Sequence, residues 1–183
     1  MTKNPPVVNG KAGFHLDKAT LRAAALKELD GGAVTDGYRG DRQEIVAMLN
    51  DALATEMVCV LRYKRHYYTA SGLENEPIKA EFLQHAQEEQ DHADRIAERI
   101  VQLNGEPDFN PRILADRSHA DYDDSSEIKE MIKANLIAER IAIEAYRQMI
   151  ERIGDKDPTT RHLLVQILAQ EEEHADDMRD LLE

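Results

Sequence analysis

Glu89-Gln90-Asp91-His92-Ala93-Asp94 and Glu171-Glu172-Glu173-His174-Ala175-Asp176 are two copies of one pattern, E-x-x-H-A-D, and each lies inside a long stretch of helical periodicity. Residues three apart on a helix share a face, so each copy presents a carboxylate and an imidazole to one point in space. The core-facing stripes around them read Ile78, Phe82, His85, Glu89, His92, Ile96, Leu103 and Leu164, Ile167, Glu171, His174, Met178, Leu181. Ionisable groups therefore stand where apolar ones belong.

Two further helical stretches show the same interruption. Ile45, Leu49, Ala52, Glu56, Cys59 or Val60, Tyr63 and Tyr67 form one stripe. Ile128, Ile132, Asn135, Glu139, Ala142, Tyr146, Met149 or Ile150 and Ile153 form the other. Glu56 and Glu139 each precede a tyrosine, Tyr63 and Tyr146, by seven residues, and each precedes its E-x-x-H glutamate by 33 and 32 residues respectively. The chain thus reads as two helical hairpins of one design, related by an approximate two-fold axis.

Four carboxylates at one level of a helical core would be too costly to bury alone, through both lost hydration and mutual repulsion. Two divalent cations balance four glutamates, and two neutral histidines complete the coordination without adding charge. The expected site is a dinuclear metal centre of Glu56, Glu89, His92, Glu139, Glu171 and His174. Glu144 lies five residues past Glu139 and is turned roughly 140° away on a helix, while Glu172 has no histidine three residues on. His85 offers either a further metal ligand or a core histidine with its hydrogen bonds satisfied. Tyr63 and Tyr146 read as core tyrosines or as electron donors, and Cys59 as a small buried packing residue. His15, His66, His119 and His162 fall into no pattern.

The expected helices run Asp41 to Thr69, Glu76 to Asn104, Ser126 to Ile153 and Pro158 to Leu182, preceded by an extension over residues 1 to 40. In that extension Pro5-Pro6, Gly10 and Gly13 suggest an irregular arm, and Asp17 caps a short amphipathic helix from Lys18 to Leu29. Ser126 is the expected cap of the third long helix. A helix of about 28 residues spans roughly 42 Å, and an antiparallel neighbour needs only a short link. The link from Gly105 to Ser125 is long enough to cross the whole bundle and leave the second and third helices parallel. The fold class is all-α, a four-helix bundle over residues 41 to 183.

The 183 residues, 42% hydrophobic and without Trp, suit one helical domain. A single cysteine excludes an intrachain disulfide and a cysteine-ligated metal cluster. No apolar run is long enough for a membrane span, and Met-Thr-Lys-Asn-Pro-Pro lacks the regions of a secretory signal, so a cytoplasmic location is expected. A formal charge of −13 argues against DNA and membranes as partners. Residues 1 to 27 do carry Lys3, Lys11, Lys18, Arg22 and Lys27 against Asp17, which keeps a DNA-binding arm in view.

From Asp41 to Leu182 the chain resembles the ferritin-like di-iron carboxylate proteins, and among them the bacterioferritin branch, in which two helices give a Glu each and two give Glu-x-x-His. The resemblance implies a ferritin-like bundle whose long crossover joins helices 2 and 3. It also implies two Fe ions per subunit, with Mn or Zn as other occupants. Glu89 and Glu171 match bridging ligands, Glu56 and Glu139 terminal ones, and Tyr63 a tyrosine close to the metals. Gln90 stands where bacterioferritins usually have a haem-ligating methionine, so haem is not expected. No fifth helix is expected after Leu181-Leu182-Glu183, and the N-terminal extension is more like the Dps-like branch. The implied function is ferroxidase and iron storage, oxidising Fe(II) with O2 or H2O2 inside a homo-oligomeric shell, a dodecamer or a 24-subunit cage. The alternatives are a peroxide-scavenging di-iron or di-manganese oxidoreductase, similar to rubrerythrin or manganese catalase, and a Dps-like DNA-protecting protein.

Overall fold

The computed structural model describes residues 15–183, and the chain divides into two units at the Gly37/Tyr38 junction. In the first unit, α1 (Lys18–Ala25) is capped as expected, the Asp17 side chain accepting from the Thr20 amide. It ends four residues before the expected Leu29. Glu28, at a φ of 45°, turns the chain into a single 3-10 turn, Leu29–Gly31. None of the residues of α1 is buried. The irregular arm expected around Pro5-Pro6, Gly10 and Gly13 lies outside the described residues.

The second unit holds four long helices: α2 (Arg42–Thr69), α3 (Glu76–Gln102), α5 (Ile128–Ile153) and α6 (Pro158–Asp180), with a one-turn α4 (Leu114–Arg117) in the crossover. Asp41 caps α2 by accepting from the Glu44 amide at 3.1 Å. Asp157 caps α6, with Pro158 opening the helix. The hairpin loops turn at glycines in left-handed backbone, Gly72 at φ 102° and Gly154 at φ 54°. Ser126 does not cap α5. The helix starts at Ile128 with Glu127 at the cap position and no side-chain bond there. The nearby acidic side chain, Asp123, is engaged by the Ser125 amide at 3.0 Å and by His66 instead.

The side-chain pairings fix the topology. α2 runs antiparallel to α3, since Tyr63 meets His85 while Asn50 bonds to Glu106, just past the end of α3. It also runs antiparallel to α5, since Glu44 meets Arg152 and Arg62 meets Asn135. α3 and α5 are therefore parallel, and the segment between them returns the full length of the bundle. α2 guides it. Asn50 donates to the Glu106 carbonyl and accepts from the Asp108 amide, Asp51 holds Arg117, and Thr55 accepts from the His119 amide. Arg62 and Arg65 then reach the carbonyls of Asp121 and Asp124, and His66 pairs with Asp123 at 3.1 Å. This is the ferritin-like crossover.

Leu49, Leu53, Ile96, Ile100, Leu164 and Ile167 are fully buried, each worth roughly 1.5–3 kcal/mol on leaving water. At one end Tyr63, Phe82, Ala86, Met131, Ile132 and Met178 close the core. At the other, Asp157 accepts from Arg99, Tyr38, and both the amide and hydroxyl of Thr160. Between these ends lie the buried carboxylates. Among the described residues, no helix is long and apolar enough to cross a membrane.

Candidate metal centre

α2 and α5 each bring one glutamate to the bundle interior, and α3 and α6 each bring a Glu and a His. All six expected residues are buried, at most 2% exposed. Their donor atoms fall into two groups, Glu56, Glu89, His92, Glu171 and Glu89, Glu139, Glu171, His174, with the atoms of each group within 4.8 Å of one another. Glu89 and Glu171 belong to both.

The atoms divide in a way that suits two ions. His92 Nδ1 lies 3.3 Å from Glu56 Oε2, 3.4 Å from Glu89 Oε2 and 3.0 Å from Glu171 Oε1. His174 Nδ1 faces the opposite oxygens, Glu89 Oε1 at 3.6 Å and Glu171 Oε2 at 3.7 Å, with Glu139 Oε2 at 3.9 Å. Each shared glutamate thus turns one oxygen to each histidine. The other two glutamates are each held by one oxygen: the Tyr63 hydroxyl donates to Glu139 Oε1 at 2.5 Å, and the Tyr146 hydroxyl donates to Glu56 Oε1.

Both imidazoles are oriented from outside the cluster. Nε2–H of His174 donates to Glu88 Oε2 at 2.9 Å, and Nε2–H of His92 donates to Gln170 Oε1 at 3.0 Å. Each bond leaves Nδ1 for the interior, the tautomer a metal ligand needs. Both oxygens of Glu89, both of Glu171, Glu139 Oε2 and His174 Nδ1 are buried without a hydrogen-bond partner. Such orphans are rare in a folded interior, and here all of them converge.

Burial, then the charges of Glu89 and Glu171, push Glu56 and Glu139 well above the usual carboxylate range. Burial would raise Glu89 as well, but the neighbouring Glu56 carboxyl and the His174 and His92 imidazoles outweigh it and hold Glu89 well below that range. Burial and Glu89 push Glu171 upward, yet His174 and His92 prevail and lower it. Burial works against protonated imidazoles, but the surrounding carboxylates raise His92 far above its ordinary value and His174 to about 12. Taken by themselves, the six side chains share protons: the carboxylates favour charged imidazoles, and Glu56 and Glu139 are biased toward the protonated form.

The ferritin-like domain model matches residues 46–183, three quarters of the chain and all six of these residues. The chain belongs to the ferritin-like family. A DNA protection during starvation protein of Pyrococcus furiosus is 32% identical over 146 residues, 78% of this chain and 78% of that protein. A bacterioferritin of Desulfovibrio desulfuricans is 26% identical, over 75% of this chain and 74% of its own length. Among solved structures, the bacterioferritin-related protein of Bacteroides fragilis, described as a dodecameric thioferritin, superposes with a TM-score of 0.75 at 32% identity, covering 79% of this chain and 87% of that one.

Within this ferritin-like bundle the other residues singled out from the sequence fall into place. Glu144 and Glu172 sit on the surface, both bound by Arg147, at 2.9 and 2.6 Å. Cys59 is buried against Ala120 and Ala138, and burial pushes its thiol up, away from the reactive thiolate. His66 and His119, which fell into no pattern, hold the crossover. Sequence reasoning missed Glu88, Gln170 and Arg62. Arg62 is fully buried, donating to Asn135 Oδ1 at 2.9 Å and lying 3.9 Å from Glu139. A signal for two of them existed: Glu88 and Gln170 each directly precede the E-x-x-H glutamate.

Proposed function

We propose that the protein is a ferroxidase of the iron-storing kind, with Glu56, Glu89, His92, Glu139, Glu171 and His174 holding two Fe(II) ions per subunit as substrate. The reading is carried by the oxygens of Glu89 and Glu171, four buried acceptors without a well-formed hydrogen bond, each turned toward one of the two histidines. Two divalent ions replace the protons of the cluster and keep it neutral, with all four glutamates ionised and both histidines uncharged.

Glu89 and Glu171 would bridge, one oxygen to each ion, and Glu56 and Glu139 would be terminal ligands through Oε2. Tyr146 and Tyr63 hold the remaining oxygens of those glutamates, so the carboxylates enter the site already oriented. His92 and His174 supply Nδ1. Bound as a pair, two Fe(II) ions furnish the two electrons that reduce O2 to peroxide, or peroxide to water. The side chains themselves exclude bulk water and keep the pair at a fixed separation. Tyr63, donating to Glu139 and touching His85, is a hydrogen-bonding partner of the ligands.

The assembly proposed is a homo-oligomeric shell that retains the ferric product. The dodecameric description of the Bacteroides fragilis protein, similar over most of both chains, supports it. The Pyrococcus furiosus relative is named for DNA protection during starvation, a role that iron and peroxide removal would also serve, and those of Synechococcus and Nostoc are named for DNA binding under nutrient stress. Anaerobic loading with Fe(II), followed by oxygen and by mass measurement on the same sample, tests the proposal. The parent protein is expected to oxidise two irons per chain rapidly within a hollow particle. Glu89→Ala, which removes a ligand from both ions, should lower the rate by orders of magnitude. Parent-like oxidation by that variant would refute the site assignment, and a dimer-sized particle would refute storage.

A further inference from the structure

His85 stands one helical turn before Glu89, on the edge of α3 that meets α6. Its ring is fully buried and stacks on the His174 ring, with centroids 4.0 Å apart and planes 21° apart. Nδ1 lies 3.1 Å from the Tyr63 hydroxyl oxygen. Tyr63 gives its own proton to Glu139, so that oxygen accepts from His85, and the hydrogen belongs to Nδ1. Nε2 is then left with its lone pair. It is buried, with no hydrogen-bond partner, and it points at two carboxylate oxygens, Glu81 Oε1 at 3.2 Å and Asp177 Oδ2 at 3.4 Å. Three acceptors facing one another repel, and a cation among them turns the repulsion into coordination.

We propose that Glu81, His85 and Asp177 form a third divalent-cation site in each subunit, outside the six-residue centre, which takes a first-row transition ion such as Fe(II), Mn(II), Co(II) or Zn(II). The dimensions fit: donors held about 2.1 Å from a tetrahedral or octahedral ion lie roughly 3.0–3.4 Å apart. The two Nε2-to-oxygen distances already have that spacing, and the three donor atoms all lie within 4.8 Å of one another. The charges fit as well, since two carboxylates and a neutral imidazole neutralise one divalent ion. The imidazole selects a transition ion over magnesium or calcium. Burial, then the charges of Asp177 and Glu88, raise the Glu81 carboxyl above its ordinary range, with His174 working the other way.

The site opens outward. The Glu81 and Asp177 side chains are 31% and 45% exposed, so an ion meets them directly from solvent, while His85 forms the floor. Binding there needs none of the four buried glutamates, so the site stands or falls separately from the ferroxidase reading.

Anaerobic titration of the chelator-stripped, assembled full-length protein with Co(II), read by visible absorption and calorimetry, tests the proposal. The parent is expected to take three ions per chain. Glu81→Gln combined with Asp177→Asn, amide isosteres at partly exposed positions, should take two. A Glu56→Gln, Glu139→Gln variant should lose ions from the six-residue centre and keep the one at His85. A parent that saturates at two ions, or an E81Q/D177N protein that still takes three, overturns the third site. That second result would leave a proton on Nε2 as the occupant. Three ions retained by the Glu56/Glu139 variant would instead count against the six-residue centre, so the two failures are distinguishable.

Discussion

The two hairpins deliver matched ligands but unmatched surroundings. Tyr63 of the first holds Glu139 of the second, and Tyr146 of the second holds Glu56 of the first. Glu88 of the first orients His174, and Gln170 of the second orients His92. Beyond this exchange the symmetry fails. Six residues after its glutamate the first hairpin has buried Arg62 where the second has Ala145. Four residues before its E-x-x-H glutamate it has His85 where the second has buried Ile167. Arg62, His85 and Glu88 all gather around Glu139 and His174. The half built on Glu56 and His92 has Ile167 and the neutral Gln170 in their places. Equal ligand sets thus sit in unequal electrostatic environments, and the two ions are expected to bind with different affinities.

The largest test of this comparison is the proton count. Against the pull of burial, the carboxylates around His92 and His174 raise both imidazoles, so each holds a proton at neutral pH that a metal must displace, and Glu56 and Glu139 are raised in the same direction by burial and by Glu89 and Glu171. Glu89 and Glu171 are depressed and compete only in acid. Loading should therefore release at least the two imidazole protons per chain, one from each half, and apparent affinity should fall as pH falls, by about ten-fold or more per ion per pH unit. Indicator dye in weak buffer measures this directly. Release of a single proton would mean that only one half loads.

A smaller effect is expected where the symmetry breaks. Arg62→Ala removes the buried donors to Asn135 and Asp121 and leaves Glu139 without its cation, at a cost of about 3 kcal/mol. That is a fall of roughly 6–12 °C in Tm for a chain of this size. Ala145→Ser, at the corresponding place, should move Tm by under about 1–2 °C. Comparable losses would show that the buried arginine is not what distinguishes the halves.

The finest test exchanges the groups that orient the histidines. Glu88→Ala should weaken the ion at His174 by about 10–100-fold, because a carboxylate on the far nitrogen both fixes the ring and strengthens it as a donor. Gln170→Ala, which removes a neutral partner, should weaken the ion at His92 by less, about ten-fold or under. Stepwise calorimetric titration separates the two. Equal losses would erase the predicted asymmetry.

What the sequence revealed follows from cost. An ionisable group in an apolar stripe stands out because only a strong reason keeps it buried, and the shared burial of the six central residues was legible on that ground. The parallel placement of α3 and α5 was legible from helix length against linker length. Glu88 and Gln170 shared a position, each directly before an E-x-x-H glutamate, but their role was hidden, since each lies one residue off the core face and reads as ordinary surface until the opposite hairpin is in place. Arg62 was hidden for a similar reason, its partners Asn135 and Asp121 being distant in sequence. The start of α5 was misread because Asp123, which the fold commits to His66 and Ser125, gives no local sign of that commitment. His85 was ambiguous until the Tyr63 hydroxyl fixed which of its nitrogens carries hydrogen.

The segment that returns beside α2, laced to it at Asn50, Asp51, Thr55, Arg62, Arg65 and His66, also orders the assembly of the chain in time. Those bonds need a helix already wound, because only then do the side chains point along one edge. A ribosome delivers α2 and α3 first, and their pairing is local in sequence, so the earlier hairpin is expected to serve as the template on which the later one is laid. The nascent protein thus carries half of its charged interior before the other half has been synthesised, and it completes the pocket only when the last helix docks.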